Sequence, residues 1–354
     1  MKIGKRIFLS SGILLLAAMG ATAPAQQTPF PLAPDIAMEP NGTLHFKDRT
    51  IPMPTLMSEQ AKRRYLEILN RSLRPPGQAP APQASAAQGD AGPRGISGLD
   101  AALKAYPTGV QDGEMGGVKV VIFTPSDIPA RNRNRVVLAL NSNAIGAIIA
   151  SVAKVKVITP LFSGGPGGNT SAQVVAVYRE LLKTHKPGQL AFIGISGGCQ
   201  LSGNTTVWLA QQKLPMPGAL GLMTCAGGGT PGDTRVTLDG LDPNLSGYTS
   251  FAAATRGRPP AAPRAVNPGD PPREFLGVAA IPKGFPPSYL LAGTRDLSLS
   301  LTVLLHRKLR NAGVVADLNI WEGMWHGFNF EPELPETREA AGDLARFLDR
   351  YMAT

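Results

Sequence analysis

The chain has 354 residues, of which 43% are hydrophobic, so it can bury a sizeable core in one large domain or two. Its formal net charge is +10, and Lys2, Lys5 and Arg6 near the N-terminus contribute three positive charges. Such an excess would favour an anionic cell surface or an acidic polymer as a neighbour. The basic residues are scattered and are not interleaved with aromatic residues, which argues against nucleic-acid binding.

The first 25 residues have the pattern of a secretory signal peptide. Basic residues precede an apolar stretch over residues 7–19, and Ala23-Pro24-Ala25 follows as a small-residue cleavage pattern. The apolar stretch is too short for a transmembrane segment, and no later segment is long enough. We therefore expect cleavage near Ala25 and a periplasmic or secreted mature protein. The pattern leaves both the general and the twin-arginine export routes open.

Residues 26–116 show little regular periodicity apart from one helix. That helix is predicted over residues 57–73, with Ser58 as its N-cap and with Ala61, Tyr65 and Ile68 on one face. Residues 74–98 are a low-complexity mixture of Pro, Ala, Gln and Gly, which is typical of a flexible linker. We therefore expect the regular core to begin near Gly117 and to form one domain over residues 117–354.

Strands alternate with helices from residue 117 onward. Apolar or alternating runs predict strands at residues 118–123, 136–140, 155–161, 190–195, 219–224, 288–292 and 315–321. Helical periodicity predicts helices at residues 145–152, 171–185, 197–209, 301–312 and 336–352. Residues 226–287 are rich in Gly, Pro and Arg, which suits loops and cap elements. The alternation predicts an α/β fold with a mostly parallel sheet flanked by helices.

Gly194, Ser196 and Gly198 form a G-x-S-x-G pattern between a buried strand and a helix. In serine hydrolases this pattern makes a sharp turn that exposes the serine, and glycine permits the close backbone approach. The following helix would direct its N-terminal amides toward an oxyanion. A partial copy at residues 95–98 follows no strand and is interpreted as loop. Glycine is common in this chain, so the alternative is a structural turn serine; the flanking strand and helix favour a nucleophile.

Two further polar residues follow later strands in the order that a catalytic triad requires. Asp296 follows the strand at residues 288–292, and His326 follows the last strand. Side chains at the carboxyl ends of parallel strands gather at one edge of the sheet. An imidazole there would take the serine proton, and a carboxylate would fix the imidazole tautomer. Asp317 and Glu322 are weaker candidates for the acid, since one lies within a strand and the other is too close to His326 in sequence.

The two cysteines, Cys199 and Cys225, follow the serine and end a neighbouring apolar run. They could form a disulfide in an oxidising compartment or remain as two buried thiols. Their spacing and the absence of nearby histidines in the sequence exclude a metal site built on them. We expect a reaction that needs no cofactor and no metal.

From about residue 118 to residue 351, the chain resembles the hormone-sensitive-lipase-like branch of the α/β-hydrolases. The matching motifs are Gly194-Ile195-Ser196-Gly197-Gly198, Leu291-Ala292-Gly293-Thr294-Arg295-Asp296 and residues 321–328 around His326. The resemblance implies the α/β-hydrolase fold and a helical cap partly built from the N-terminal segment. It also implies a carboxylesterase with a triad of Ser196, His326 and Asp296.

The chain departs from that family where the oxyanion hole is expected. The family has His-Gly-Gly-Gly after the strand that here ends at residue 140, and this chain has Asn141-Ser142-Asn143-Ala144 instead. The Gly197 amide can still serve as one oxyanion donor. The amides of Ser142 and Asn143, or the side chain of Asn141, are the candidates for a second. Losing one such donor lowers the rate by about 100- to 1,000-fold. An active esterase with an altered oxyanion hole and a catalytically impaired one are therefore both consistent with the sequence.

Three functions therefore follow from the sequence. The first is an exported serine carboxylesterase that cleaves small or medium acyl esters through an acyl-enzyme on Ser196. The second is a catalytically impaired α/β-hydrolase-fold protein that binds a small apolar ligand or a partner. The third is amide or peptide hydrolysis by the same triad. The sequence leaves the identity of the ester and the oligomeric state open.

Overall fold

The computed structural model describes residues 36–38, 44–46, 51–72, 98–140, 142–163, 170–225, 232–238, 241–242 and 280–354. The chain comprises two units, Met1–Pro52 and Met53–Thr354. In the first unit, β1 (Ile36–Met38) and β2 (Leu44–Phe46) form a short antiparallel pair. The predicted signal peptide, the partial glycine–serine copy at residues 95–97 and most of the predicted linker lie outside the described residues.

The second unit alternates strands with helices. Its described strands are β3 (Gly109–Met115), β4 (Val118–Thr124), β5 (Val136–Leu140), β6 (Lys156–Pro160), β7 (Leu190–Ile195), β8 (Ala219–Met223), β9 (Ser288–Gly293) and β10 (Ala316–Trp321). Its described α-helices are α1 (Glu59–Ser72), α2 (Leu99–Ala105), α3 (Asn143–Ala153), α4 (Thr170–Leu182), α5 (Gly197–Gln211), α6 (Thr234–Thr237), α7 (Leu299–Asn311) and α8 (Pro335–Tyr351). Among the described residues, no helix is both long and apolar enough to cross a bilayer.

The eight strands of the second unit form one sheet in the order β10-β9-β8-β7-β5-β6-β4-β3. The pairs from β10 to β6 are parallel, and β4 and β3 extend that edge in antiparallel orientation. The carboxyl ends of β7, β9 and β10 therefore lie on the same edge of the sheet. This architecture confirms the predicted α/β fold with a mostly parallel sheet.

The two faces of the sheet pack against different helices, which explains why the central strands are apolar throughout. In β7, Ala191, Ile193 and Ile195 belong to the core on one face, and Leu190 and Phe192 belong to the core on the other. Successive side chains of a strand point to opposite faces, so a strand that is covered on both sides needs apolar residues at every position. Helices α3 and α8 cover the first face, and α4, α5 and α7 cover the second.

The regular core begins at Gly109 in the structure, whereas the sequence predicted a start near Gly117. Strand β3 adds an edge strand to the sheet, and helix α2 precedes it. The prediction missed β3 because most of its residues are exposed, so its sequence has neither an apolar run nor a clear alternation. The described residues 98–116 therefore contribute to the sheet and its core and not only to a linker.

Helix α1 is fixed to the C-terminal part of the same unit by polar contacts. The hydroxyl of Ser58 accepts a 3.1 Å hydrogen bond from the amide of Ala61, which makes Ser58 an N-cap as predicted. The amide and hydroxyl of Ser58 also donate to the carboxylate of Glu336 at 2.8 Å and 3.0 Å. The guanidinium of Arg64 forms a bidentate ion pair with the carboxylate of Glu331, with hydrogen bonds of 2.9 Å and 3.1 Å. These contacts hold α1 beside the start of α8 and the loop that precedes it.

Candidate active site

Ser196 lies at a sharp turn between β7 and α5. Strand β7 ends at Ile195 and helix α5 begins at Gly197, so that one residue separates them. The backbone of Ser196 has φ 56° and ψ −118°, a conformation that residues with a side chain rarely adopt. Its amide donates a 3.1 Å hydrogen bond to the carbonyl of Met223 at the end of β8. This strained turn has the backbone form of a nucleophile elbow.

Gly194 allows the first turn of α5 to lie directly against the end of β7. A Cβ atom at Gly194 would lie 2.0 Å from the carbonyl oxygen of Gly198. The same carbonyl oxygen accepts a 2.9 Å hydrogen bond from the hydroxyl of Ser202, which fixes it further. The first glycine of the G-x-S-x-G pattern is therefore required by a backbone approach and not only by the turn itself.

The imidazole of His326 lies between Ser196 and Asp296. Its Nε2 atom is 2.9 Å from the Oγ atom of Ser196, and its Nδ1 atom is 3.0 Å from the Oδ1 atom of Asp296. Asp296 is fully buried, His326 is 5% exposed, and Ser196 is partly exposed. Only the serine end of this chain of hydrogen bonds is thus open to a ligand. The arrangement can transfer a proton from the hydroxyl to Nε2 while Nδ1 donates to the carboxylate.

The loop that carries Asp296 is fastened to the loop that carries His326. A Cβ atom at Gly293 would lie 1.9 Å from the carbonyl oxygen of Met324, and that oxygen accepts a 3.0 Å hydrogen bond from the amide of Arg295. Within the first loop, the amide and hydroxyl of Ser298 donate to Oδ1 of Asp296 at 2.7 Å and 2.6 Å. The carboxylate therefore has a fixed orientation toward the imidazole.

Opposing effects set the pKa of the His326 imidazole. Burial is the largest and lowers the pKa, because it penalises the charged form. The charge of Asp296 and its hydrogen bond raise the pKa, the charge of Asp242 raises it further, and the charge of Arg235 lowers it. The two carboxylates outweigh burial, so the pKa of His326 is raised above its ordinary value. The imidazole is therefore a stronger proton acceptor than an isolated histidine.

The family comparison agrees with this geometry. The model of a family with the alpha/beta hydrolase fold matches residues 141–330, which is more than half of the chain. The chain belongs to the α/β-hydrolase family. This membership confirms the family that the elbow and the two later motifs predicted.

Solved structures of esterases are similar to this α/β-hydrolase. Esterase E25 is 28% identical, with a TM-score of 0.67 over 87% of this chain and 98% of its own. An esterase from the bacterial hormone-sensitive lipase family is 21% identical, with a TM-score of 0.63 over 84% of this chain and 99% of its own. A hyperthermophilic esterase from the archaeon Pyrobaculum calidifontis is 18% identical, with a TM-score of 0.57 over 72% and 91%. The last two show the fold alone, and no curated protein matches the chain.

The candidate oxyanion donors lie at the starts of two neighbouring helices of the hydrolase. Helix α5 begins at Gly197 and helix α3 begins at Asn143, with Ser142 as its N-cap. Because Leu140 of β5 pairs with Gly194 of β7, the two helix starts follow adjacent strands at the same edge of the sheet. The hydroxyl of Ser142 accepts a 3.2 Å hydrogen bond from a later amide of α3, so it serves the helix. Backbone amides at a helix start favour a nearby anion, so the amides of Gly197, Ser142 and Asn143 remain the predicted oxyanion donors.

The other candidates for the acid do not approach the imidazole. The carboxylate of Asp317 lies 4.0 Å from the guanidinium of Arg350, and Glu322 is exposed. Asn141, whose side chain was a further candidate for the oxyanion hole, lies outside the described residues. Ser300, in the first turn of α7, exchanges hydrogen bonds with Thr234 at 2.9 Å and 3.0 Å. Ser300 thereby joins α7 to α6.

The structure adds a buried carboxylate, Asp242, that sequence reasoning missed. It lies in the Gly-, Pro- and Arg-rich stretch, where no periodicity or motif marks it. Donor atoms of Asp242, Asp296 and His326 lie within 4.8 Å of one another, and within the described parts of the chain this is the group with metal-like spacing. Both ring nitrogens of His326 are already engaged by Asp296 and Ser196. The group thus suits proton transfer better than metal binding.

Cys199 and Cys225 form a disulfide, with their Cα atoms 5.3 Å apart. The sequence had left open whether these cysteines are paired. Cys199 lies in the first turn of α5, and Cys225 follows β8, so the bond joins the elbow helix to the neighbouring strand. Both residues are buried at 1% exposure. The disulfide therefore reinforces the turn that carries the candidate nucleophile.

Proposed function

We propose that this chain is an exported carboxylesterase that cleaves small or medium acyl esters through an acyl-enzyme on Ser196. The observation that carries the proposal is the continuous chain of hydrogen bonds from Ser196 through His326 to Asp296, at 2.9 Å and 3.0 Å. The similar solved structures are esterases, which supports ester hydrolysis, and E25 does so most directly at 28% identity.

The proposed mechanism uses only side chains and amides of this chain. The Ser196 hydroxyl attacks the ester carbonyl while Nε2 of His326 takes its proton. The imidazolium then protonates the leaving alcohol, and the acyl group remains on Ser196. His326 then takes a proton from a water molecule as that water attacks the acyl-enzyme, and the imidazolium returns the proton to Oγ of Ser196 as the acid leaves. Asp296 stabilises the imidazolium in both steps through Nδ1.

The oxyanion of each tetrahedral intermediate needs hydrogen-bond donors beside Ser196. The amide of Gly197 is the first, since it opens helix α5 directly after the nucleophile. We assign the second donor to the amides of Ser142 and Asn143 at the start of α3, because β5 and β7 are adjacent. These amides would replace the glycine amides that the family places there.

Hydrolysis of a short p-nitrophenyl ester by the mature protein tests the proposal, with Ser196→Ala as the matched control. We expect turnover that the control lacks, because the control keeps the fold and loses the nucleophile. Equal rates for the two proteins would refute ester hydrolysis on Ser196. A short p-nitroanilide measured in parallel separates ester from amide hydrolysis.

One observation favours a second function, the binding of a small apolar ligand or a partner without turnover. Residues 141–144 differ from the glycine-rich segment of the family, and the loss of one oxyanion donor would lower the rate by about 100- to 1,000-fold. Labelling by a fluorophosphonate distinguishes the two functions. Rapid labelling of wild type but not of Ser196→Ala would contradict the binding function.

Export rests on the predicted signal peptide of residues 1–25. The disulfide between Cys199 and Cys225 supports an oxidising compartment, since such bonds are rare in reducing cytosol. Fractionation of expressing cells, followed by N-terminal sequencing, tests it. A mature chain that starts directly after Ala25 outside the cytoplasm is expected, and an intact N-terminus in the cytoplasm would refute export.

A further inference from the structure

Asp242 is a buried carboxylate that the proposed mechanism does not use. It is 0% exposed and lies shortly after the small helix α6. Its Oδ2 atom accepts hydrogen bonds from two main-chain amides, that of Leu297 at 3.0 Å and that of His326 at 3.2 Å. Leu297 follows Asp296 directly, so one carboxylate oxygen joins the loop of the acid to the residue that carries the base.

The short helix α6, which precedes Asp242, contacts the acid loop and the start of α7. The hydroxyl of Thr234 in α6 donates a 3.0 Å hydrogen bond to the carbonyl of Leu297. A Cβ atom at Gly232 would lie 2.4 Å from the Cβ atom of Ser300, so α6 lies in direct contact with the start of α7. These contacts place α6 beside the loop that carries Asp296.

The same segment is joined to helix α1. The hydroxyl of Tyr65 donates a 2.6 Å hydrogen bond to the carbonyl of Leu241, the residue before Asp242. Burial raises the pKa of the Tyr65 phenol, which keeps it protonated and able to donate. The ring of Tyr65 also packs against the ring of Trp325, with centroids 5.8 Å apart, beside His326. Helix α1 is thus linked to His326 in two ways, through the contact of Tyr65 with Trp325 and through the hydrogen bond of Tyr65 to Leu241.

We propose that Asp242 is a positioning residue for hydrolysis, an inference that rests on the proposed function. Its carboxylate accepts hydrogen bonds from the main-chain amides of Leu297 and His326 and so joins the acid loop to the residue that carries the base. This contact keeps the His326 imidazole between Ser196 and Asp296. It also adds a second negative charge near the imidazolium, since a carboxylate oxygen of Asp242 and a ring nitrogen of His326 lie within 4.8 Å. Neither role requires Asp242 to touch the substrate.

Two substitutions separate the two roles of Asp242. Asp242→Asn keeps an oxygen that can accept both amides but removes the charge, whereas Asp242→Ala removes both. Among the described residues, the charged groups that act on His326 are Asp296, Asp242 and Arg235. Loss of the Asp242 charge therefore lowers the pKa of His326 in both variants, because that charge raises the pKa. Loss of the fastening contact occurs only in the alanine variant.

The experiment measures kcat and KM for a short p-nitrophenyl ester from about pH 5 to 9. In both variants, the acidic limb of kcat/KM is expected to move to lower pH. On the plateau, Asp242→Ala should lose about 100-fold in kcat with little change in KM, because a misplaced base weakens the transition state and not substrate binding. Asp242→Asn should stay within about tenfold of wild type. Asp127→Asn, which changes an exposed aspartate before β5, is the matched control for loss of one charge.

The outcomes distinguish this inference from the proposed function. Wild-type activity no higher than that of Ser196→Ala would overturn both. An active wild type with Asp242→Ala unchanged in kcat and pH profile would overturn the positioning role alone. Thermal melting shows whether the alanine variant folds; if it does not, Asp242→Asn decides, since an unshifted acidic limb overturns the inference and a shifted limb supports it.

Discussion

Gly194→Ala should disrupt the active site through one methyl group. The new Cβ atom would lie 2.0 Å from the carbonyl oxygen of Gly198 and 2.2 Å from its carbon, both of them backbone atoms. Ordinary contacts would require strand β7 and the first turn of α5 to separate by more than about 1 Å. Overpacking of this kind costs about 3 kcal/mol of unfolding free energy, and a shift of about 1 Å at Ser196 lowers kcat/KM by about 100-fold.

Urea unfolding and ester hydrolysis measure the two effects of Gly194→Ala separately. Gly342→Ala is the matched control, because Gly342 lies within α8 and its new Cβ atom would lie 3.6 Å from the flexible end of Arg346. That control should keep full activity and gain up to about 1 kcal/mol from helix propensity. If Gly194→Ala stays within about 1 kcal/mol of wild type and within about threefold in kcat/KM, the argument from backbone approach is wrong.

Asp296→Asn should lower kcat by about 10,000-fold with the fold intact, because the amide no longer fixes the imidazole tautomer; steady-state kinetics and thermal melting check this. Because His326 must be neutral to take a proton and its pKa is raised, kcat/KM should rise with pH along a limb whose midpoint lies above the ordinary histidine value. Replacing Cys199 and Cys225 by serine opens a loop with a sequence separation of 26 and should remove about 3.5 kcal/mol of unfolding free energy, measured in urea. An unchanged urea midpoint in the serine variant would contradict the last prediction.

The fold could be predicted because its strands and helices are long and strongly patterned. The central strands, such as β5 and β7, are apolar at every position because both faces of the sheet are covered. Strand β3 was missed for the converse reason, since an exposed edge strand imposes little pattern on its residues.

The sequence alone also predicted a triad of Ser196, Asp296 and His326, because each follows a strand of the sheet, and the structure brings the three side chains together. Their chain order and the parallel sheet together predict that they meet. The order of residues does not, however, give the distances or the burial on which proton transfer depends. The distances and the burial depend on close contacts between backbone segments, such as that of Gly293 with the carbonyl of Met324. No local sequence pattern predicts such a contact.

Only the tertiary structure shows the contacts between segments that are distant in sequence. The Asp242 carboxylate reaches Leu297 and His326 across 55 and 84 residues, and the disulfide pairs Cys199 with Cys225. A buried polar group is stable only if it has hydrogen-bond partners. Which groups become those partners depends on tertiary packing and not on neighbours in the chain. The sequence by itself determined the strand–helix order and predicted which residues form the candidate triad. The fold decided how firmly they are held.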